Sequence, residues 1–246
     1  MTFDMTLAYD NTYEMTISRI NKFISSLSNA FITFIIPSIN RKTLFRTLIS
    51  ILEQTDSNWR AIIIFDGCEP TDESLLSILQ DERFLYISIK HIGTQGGECC
   101  PGQAGFVRNI GMQFVQTPWI GFIDDDDTIV TTYLEHLKNE INITPSADVI
   151  SFKMICDGEI FPPINYSQIT QNTIGISFAM KSSLIKEGFT FKQSTSEDFR
   201  LLNDLQKANK IIVLSPHVTY RVRATPLIEH ELSQRFIVHK LPDSNF

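Results

Sequence analysis

Four consecutive aspartates, Asp124-Asp125-Asp126-Asp127, follow the apolar run Trp119-Ile120-Gly121-Phe122-Ile123. Adjacent carboxylates repel and raise one another's pKa, so such a cluster is best tolerated where a divalent cation or a cationic side chain sits among the oxygens. Mg2+ and Mn2+ favour oxygen ligands and keep coordination positions open for phosphate, where they act as Lewis acids. The competing role is a solvated acidic turn that caps a following helix, with Asp127 or Thr128 as the N-cap residue. A second acidic pair, Glu197-Asp198, could supply a general base, or it could stabilise the first turn of a helix. Asp66 stands between an apolar run and Gly67, where it could accept a hydrogen bond from a ring N–H or simply form a turn. Arg41 and Arg108 could meet phosphate, or pair with local carboxylates.

These residues must be held by elements that the apolar pattern outlines. Phe31 to Ile36 is a short apolar run ended by Pro37, as expected of a strand buried on both faces. Leu44, Phe45, Leu48, Ile51 and Leu52 then repeat at helical spacing, with Asn40 as the expected N-cap. Trp59 to Phe65 reads as a second strand, Thr71 onward as a helix carrying Leu75, Leu76 and Leu79, and Phe84 to Lys90 as a third strand. Phe106, Ile110, Phe114 and Val115 mark another helix before the Trp119 to Ile123 strand. Further strands are expected at Val149 to Ile155, Ile174 to Met180 and Ile211 to Leu214, with a helix over Glu197 to Ala208.

Strands alternating with helices predict a mostly parallel, Rossmann-like central sheet with right-handed crossovers, flanked by helices. Ligands of such sheets bind at the carboxyl ends of the strands, where Pro37 to Arg41, Asp66-Gly67 and the four aspartates all fall. The expected domain covers residues 31–230, after an extension (1–30) with a short amphipathic helix of Ile17, Ile20, Ile24 and Leu27, and before a tail (231–246).

A chain of 246 residues with 43% hydrophobic content suits one sizeable core. The formal charge of −7, with no Lys/Arg run, argues against nucleic acid as the main partner. No segment approaches the roughly 20 apolar residues of a transmembrane helix, and the first thirty residues lack signal-peptide features. The expected location is therefore cytoplasmic, or peripheral at a membrane, and nothing in the pattern specifies an oligomer. Cys68, Cys99, Cys100 and Cys156 lack CxxC spacing, which fits reduced thiols.

Five segments together resemble the family 2 glycosyltransferases of the glycosyltransferase A fold, over about residues 31 to 223. Ile35-Ile36-Pro37-Ser38-Ile39-Asn40-Arg41 is similar to the opening strand and its Pro-x-x-Asn-Arg turn, and Ile64-Phe65-Asp66-Gly67 to the strand end that meets the nucleobase. Ala104 to Gly111 resembles the Ala-Arg-Asn-x-Gly helix, Phe122 to Asp127 the Asp-x-Asp motif, and Ser196-Glu197-Asp198 the pair that supplies the catalytic base. The resemblance implies a single-domain α/β fold and an inverting transfer of sugar from a nucleoside-diphosphate sugar, with a UDP-sugar as the leading donor. The acceptor would be a hydroxyl of a glycan, lipid-linked or protein acceptor.

It further implies Mn2+ or Mg2+ on Asp126, with Asp124 on the ribose or a metal-bound water. Asp125 sits at the variable position beside the donor. Pro37, Asn40, Arg41, Asp66 and Arg108 belong to the donor site by the same resemblance, with Asp198 as base and Glu197 supporting it. Tyr220-Arg221-Val222-Arg223 resembles the region after the final strand, where the family often carries a histidine; His217 and His230 flank it without matching.

Two other functions compete. Asp124-x-Asp126-x-Thr128 also satisfies the nucleophile motif of haloacid-dehalogenase-type phosphohydrolases, although three strand-helix units precede it here. A non-catalytic nucleotide-sugar-binding module is the other. Residues 93–103, rich in glycine, read as a long loop that closes over the donor and excludes water.

Overall fold

The computed structural model describes residues 23, 30–92, 104–163, 169–171, 173–194 and 196–223. The expected N-terminal helix, the 93–103 loop and the C-terminal tail lie outside these residues, apart from Phe23, which is buried in the core. The first half runs β1 (Ile32–Ser38), α1 (Leu44–Leu52), β2 (Trp59–Asp66), α2 (Glu73–Ile78), β3 (Phe84–Ile89), α3 (Ala104–Met112) and β4 (Trp119–Phe122). There follow β5 (Thr128–Ile129), α4 (Tyr133–Ile143), β6 (Val149–Cys156), β7 (Glu159–Phe161) and β8 (Phe178–Lys181). The described chain closes with α5 (Ser183–Lys186), α6 (Glu197–Lys207) and β9 (Ile212–Arg221).

Every residue of β1 is buried, and all of β2 except Arg60, as befits central strands covered on both faces. The sheet order is β3-β2-β1-β4-β8-β6-β9-β5, with β7 on β6. β3, β2, β1 and β4 are mutually parallel, while β8 runs antiparallel to both β4 and β6 and β5 antiparallel to β9. β2 and β3 extend the sheet to one side of β1, and β4 then enters on the other, so the chain reverses its direction of travel between β1 and β4. That topological switch leaves a crevice at the carboxyl ends of these two strands, which open α/β sheets use for ligands.

Several local expectations change. β1 continues through Pro37 to Ser38, because Pro37 pairs in parallel register with Ile64 and the ladder does not end at the missing N–H. Asn40 does not cap α1: it has φ 61, its amide donates to the Glu69 carbonyl, and Thr43 occupies the N-cap position. α2 begins at Glu73, later than Thr71, with Asp72 accepting a hydrogen bond from the Leu75 N–H at 3.0 Å. No helix starts at Asp127, because Thr128-Ile129 pairs with β9 instead. Of the Ile174 to Met180 strand only Phe178 onward is a strand, while α4 and the short β7 and α5 are additions.

Candidate active site

Asp124 to Asp127 form a tight turn at the end of β4, closed by the Asp127 N–H donating to the Asp124 carbonyl at 3.1 Å. The four like side chains go to different places. Asp125, 4% exposed, points back to the turn after β1, where it accepts from the Ser38 hydroxyl (2.8 Å) and the Ile39 N–H (3.2 Å) and pairs with Arg41 (3.0 Å). The same Arg41 guanidinium lies 3.0 Å from Asp126, which remains partly exposed. α1 grips the turn from another side: Arg46 donates to the Asp126 carbonyl and Thr47 to the Asp127 carbonyl.

Asp124 and Asp127 line a cavity of about 320 Å³, together with Arg108, Glu197, Asp198 and Tyr220. Its other wall is largely apolar, made by Ala104, Met154, Gly175, Ile176 and Val222. Arg108 of α3 is buried and bridges Asp124 and Glu197, joining the end of β4 to the start of α6. Glu197 also accepts from the Gly105 N–H at 2.9 Å. An added Cβ on Gly105 would lie 2.6 Å from the same carboxylate, so a glycine is needed for this approach. Asn109 fixes the flank by a reciprocal pair with the Phe191 main chain, at 2.8 and 2.9 Å.

Charge is crowded here. Burial works against the Arg108 charge, but Asp124 and Glu197 more than offset it and hold the guanidinium above its usual range. Burial raises Glu197 and Asp198 above the ordinary carboxylate range, opposed by Arg108. Asp127, 3% exposed, is pushed up to about 7 by burial and then by Asp124, and its carboxylate accepts a hydrogen bond from the Arg223 N–H at 2.8 Å.

The family model described as Glycosyl transferase family 2 matches residues 33–205. The chain belongs to glycosyl transferase family 2. WcaA of Escherichia coli K12, named for colanic acid biosynthesis glycosyl transfer, is 31% identical over 139 residues, which cover 54% of this chain and 46% of WcaA. The chain thus spans about half the length of that relative. The Escherichia coli UDP-Glc:alpha-D-GlcNAc-diphosphoundecaprenol beta-1,3-glucosyltransferase WfgD is 25% identical over 200 residues, covering 77% of this chain and 75% of WfgD. In fold, S. aureus TarS residues 1–349, solved in complex with UDP-GlcNAc, matches with a TM-score of 0.61 at 18% identity, covering 78% of this chain and 58% of that one.

Within this family 2 chain some of the expected residues meet at the β1/β4 switch point, while Asp66 stands at the end of β2. Ser38 and Arg41 meet Asp125 across more than eighty residues of sequence, and Arg108, Asp124, Glu197 and Asp198 share the cavity. Arg108, assigned to the donor from sequence, has its guanidinium committed to two carboxylates. Asp66 is likewise engaged, accepting from the Ile92 N–H at 2.7 Å and facing His91 Nδ1 at 3.1 Å. His217 lies elsewhere, stacked on His136 with a ring separation of 4.0 Å. Tyr220 and the cavity-facing Asp127 are additions to the residues expected from sequence; the resemblance of Tyr220 to Arg223 to the region after the final strand was the one signal for the first.

A divalent cation suits these residues. No group of three or more His, Cys, Asp or Glu among the described residues is arranged to hold a metal, which excludes a closed protein cage there. Mg2+ and Mn2+ are commonly held by one or two carboxylates plus substrate phosphate, and the partly exposed Asp124 and Asp126 of the turn offer that number.

Proposed function

We propose that this chain is a metal-dependent inverting glycosyltransferase that moves a sugar from a nucleoside-diphosphate sugar to an acceptor hydroxyl. The observation that carries it is the shared cavity of Asp124 and Asp198, bridged through Arg108 and Glu197. That cavity supports a donor and a base acting side by side, with Asp126 on the same turn but paired to Arg41 rather than lining it.

Asp126 and Asp124 would hold Mn2+ or Mg2+, and the cation would supply Lewis-acid stabilisation of charge on the leaving phosphate oxygens. Asp198 takes the proton of the acceptor hydroxyl as its oxygen bonds to the anomeric carbon. The bond from that carbon to the diphosphate breaks, and the nucleoside diphosphate leaves from the opposite face. Such a displacement inverts the anomeric centre. A base works best with a pKa near the working pH, and burial moves Asp198 in that direction. Glu197 holds Arg108, and both orient the base-bearing end of α6.

Arg41 neutralises Asp125 and Asp126 and is half exposed, so it is available to a diphosphate. Pro37 and Asn40 shape the turn that brings Arg41 there, and Asp66 orders His91 and Ile92 beside the base subsite. The similarity to WfgD supports a UDP-sugar donor and a lipid-diphosphate-linked glycan as the first acceptor to try. No helix among the described residues is long and apolar enough to cross a membrane.

Calorimetric titration with UDP, GDP and dTDP, each with and without Mn2+, tests the donor site. Manganese-dependent binding of one nucleotide, lost in Asp126→Ala, is the expected result. Binding of none, or binding indifferent to Mn2+ and to the substitution, would overturn the metal-dependent reading.

A further inference from the structure

We propose that Tyr220 is a positioning residue of the donor site, through which β9 sets the direction in which the four-aspartate turn presents Asp124 and Asp126. The inference rests on the donor-site reading above and extends it to a residue outside the five sequence motifs.

Tyr220 is 1% exposed and sits near the end of β9, paired with Ile129 on one side and Met154 on the other. Its hydroxyl reaches back to the turn, accepting a hydrogen bond from the Asp124 N–H at 3.0 Å. The Asp127 carboxylate lines the same cavity as this hydroxyl and is near enough to act on it electrostatically. Three residues further on, the Arg223 N–H donates to that carboxylate at 2.8 Å. The turn is therefore tied to β9 at both of its ends, 96 residues away in sequence.

The other contacts hold different parts of the turn. Ser38 and Arg41 take the Asp125 side chain, and Arg46 and Thr47 take main-chain carbonyls. The Tyr220 hydroxyl holds the Asp124 main chain, where the turn leaves β4. Packing by the ring cannot replace it. The half-buried Asp124 N–H would lose its acceptor, and a donor left without one costs free energy. The turn then finds new partners by rotating, and Asp124 and Asp126 leave the geometry that a cation and a diphosphate require. Positioning errors of this kind are felt strongly in binding, because each ligand atom must be met at short range.

The test is calorimetry with UDP, GDP and dTDP in Mn2+ on the wild type, Tyr220→Phe, Asp127→Ala and the double variant, with urea unfolding of each. Tyr220→Phe is expected to weaken nucleotide binding about tenfold or more while the folded protein still binds close to one equivalent. The double variant is expected to lose less than the product of the two single losses, because both release the same turn. A purely structural tyrosine would lower the unfolding midpoint and the bound stoichiometry but leave the Kd of the folded fraction unchanged. A wild-type Kd in Tyr220→Phe, or losses that simply multiply, overturns the inference. Should Tyr220→Phe fail to fold, Asp127→Ala keeps the tyrosine in place, removes the acceptor of the Arg223 N–H and carries a similar expected loss; a wild-type Kd there is equally fatal. A wild type that binds none of the three nucleotides overturns the donor-site reading itself, and the inference with it.

Discussion

Arg108→Met removes the guanidinium that joins Asp124 to Glu197 while keeping a long apolar side chain in place. The Arg108 side chain is 3% exposed, that of Glu197 12% and that of Asp124 35%, so the two carboxylates will not suffer equally. Asp124 can recover water. Glu197 cannot, and keeps only the Gly105 N–H as a named donor. Breaking a buried pair by deleting one partner costs about 3–5 kcal/mol, because the remaining charge stays desolvated. Removing that charge as well, in Arg108→Met/Glu197→Gln, leaves lost hydrogen bonds of about 1–2 kcal/mol in total.

The cycle of four proteins, unfolded in urea near pH 7.5, reads both numbers. With a slope of roughly 3 kcal/mol per molar urea, the single variant should lose about 1–1.5 M in midpoint, and the double variant clearly less. A coupling of about 1.5–3 kcal/mol between the two positions is the expected result. An Arg108→Met loss below about 1 kcal/mol, or strict additivity of the two substitutions, would refute the claim that this pair is a buried electrostatic bridge.

Asp198→Asn should leave nucleotide affinity near wild type and slow transfer by about 10²- to 10⁴-fold, and equal loss of binding and transfer would count against its role as base. Gly105→Ala places a Cβ 2.7 Å from Phe191 Cβ as well as against Glu197, so it should cost about 1–3 kcal/mol in urea unfolding and impair transfer; a neutral outcome would show that α3 has room to move. Asp127, held at about 7 against 3.8 for an ordinary aspartate, binds its proton more tightly in the folded than in the unfolded chain. Stability from this group is therefore fully present below about pH 4 and lost as pH rises through about 7, by about 4 kcal/mol in metal-free protein. Melting in EDTA near pH 5 and pH 8 should show the larger part of this loss, about 2.5 kcal/mol, in the wild type and a flatter profile in Asp127→Asn; identical profiles would refute the assignment.

The strands and helices of the first half were legible because their signals are local. Apolar runs such as Ile62 to Phe65 can be satisfied only by burial on both faces, and the strand-helix alternation leads to a parallel sheet whatever the detail of the loops. The same logic placed Ser38, Asp66 and the four aspartates at one end of the sheet. Where sequence reasoning failed, the deciding partner was distant. Asn40 was expected to cap a helix, but its amide is taken by the Glu69 carbonyl and its backbone is left-handed. Asp127 was expected to cap a helix as well, but β9 captures Thr128-Ile129 and turns the carboxylate towards Tyr220.

Four identical side chains in a row carry no information about which of them is buried. Asp125 became the anchored one because Ser38 and Arg41, on the neighbouring strand end, offered it donors. Asp124 met Arg108 because α3 packs across β1 and β2, and Arg108 met Glu197 because α6 starts opposite Gly105. The sequence by itself determined the sheet, the edge at which ligands gather and the residue types present there. Only the tertiary structure decided which carboxylate lines the cavity, which is neutralised and which is tied to Arg223, because hydrogen bonds and ion pairs act over a few ångströms and that proximity arises only on folding.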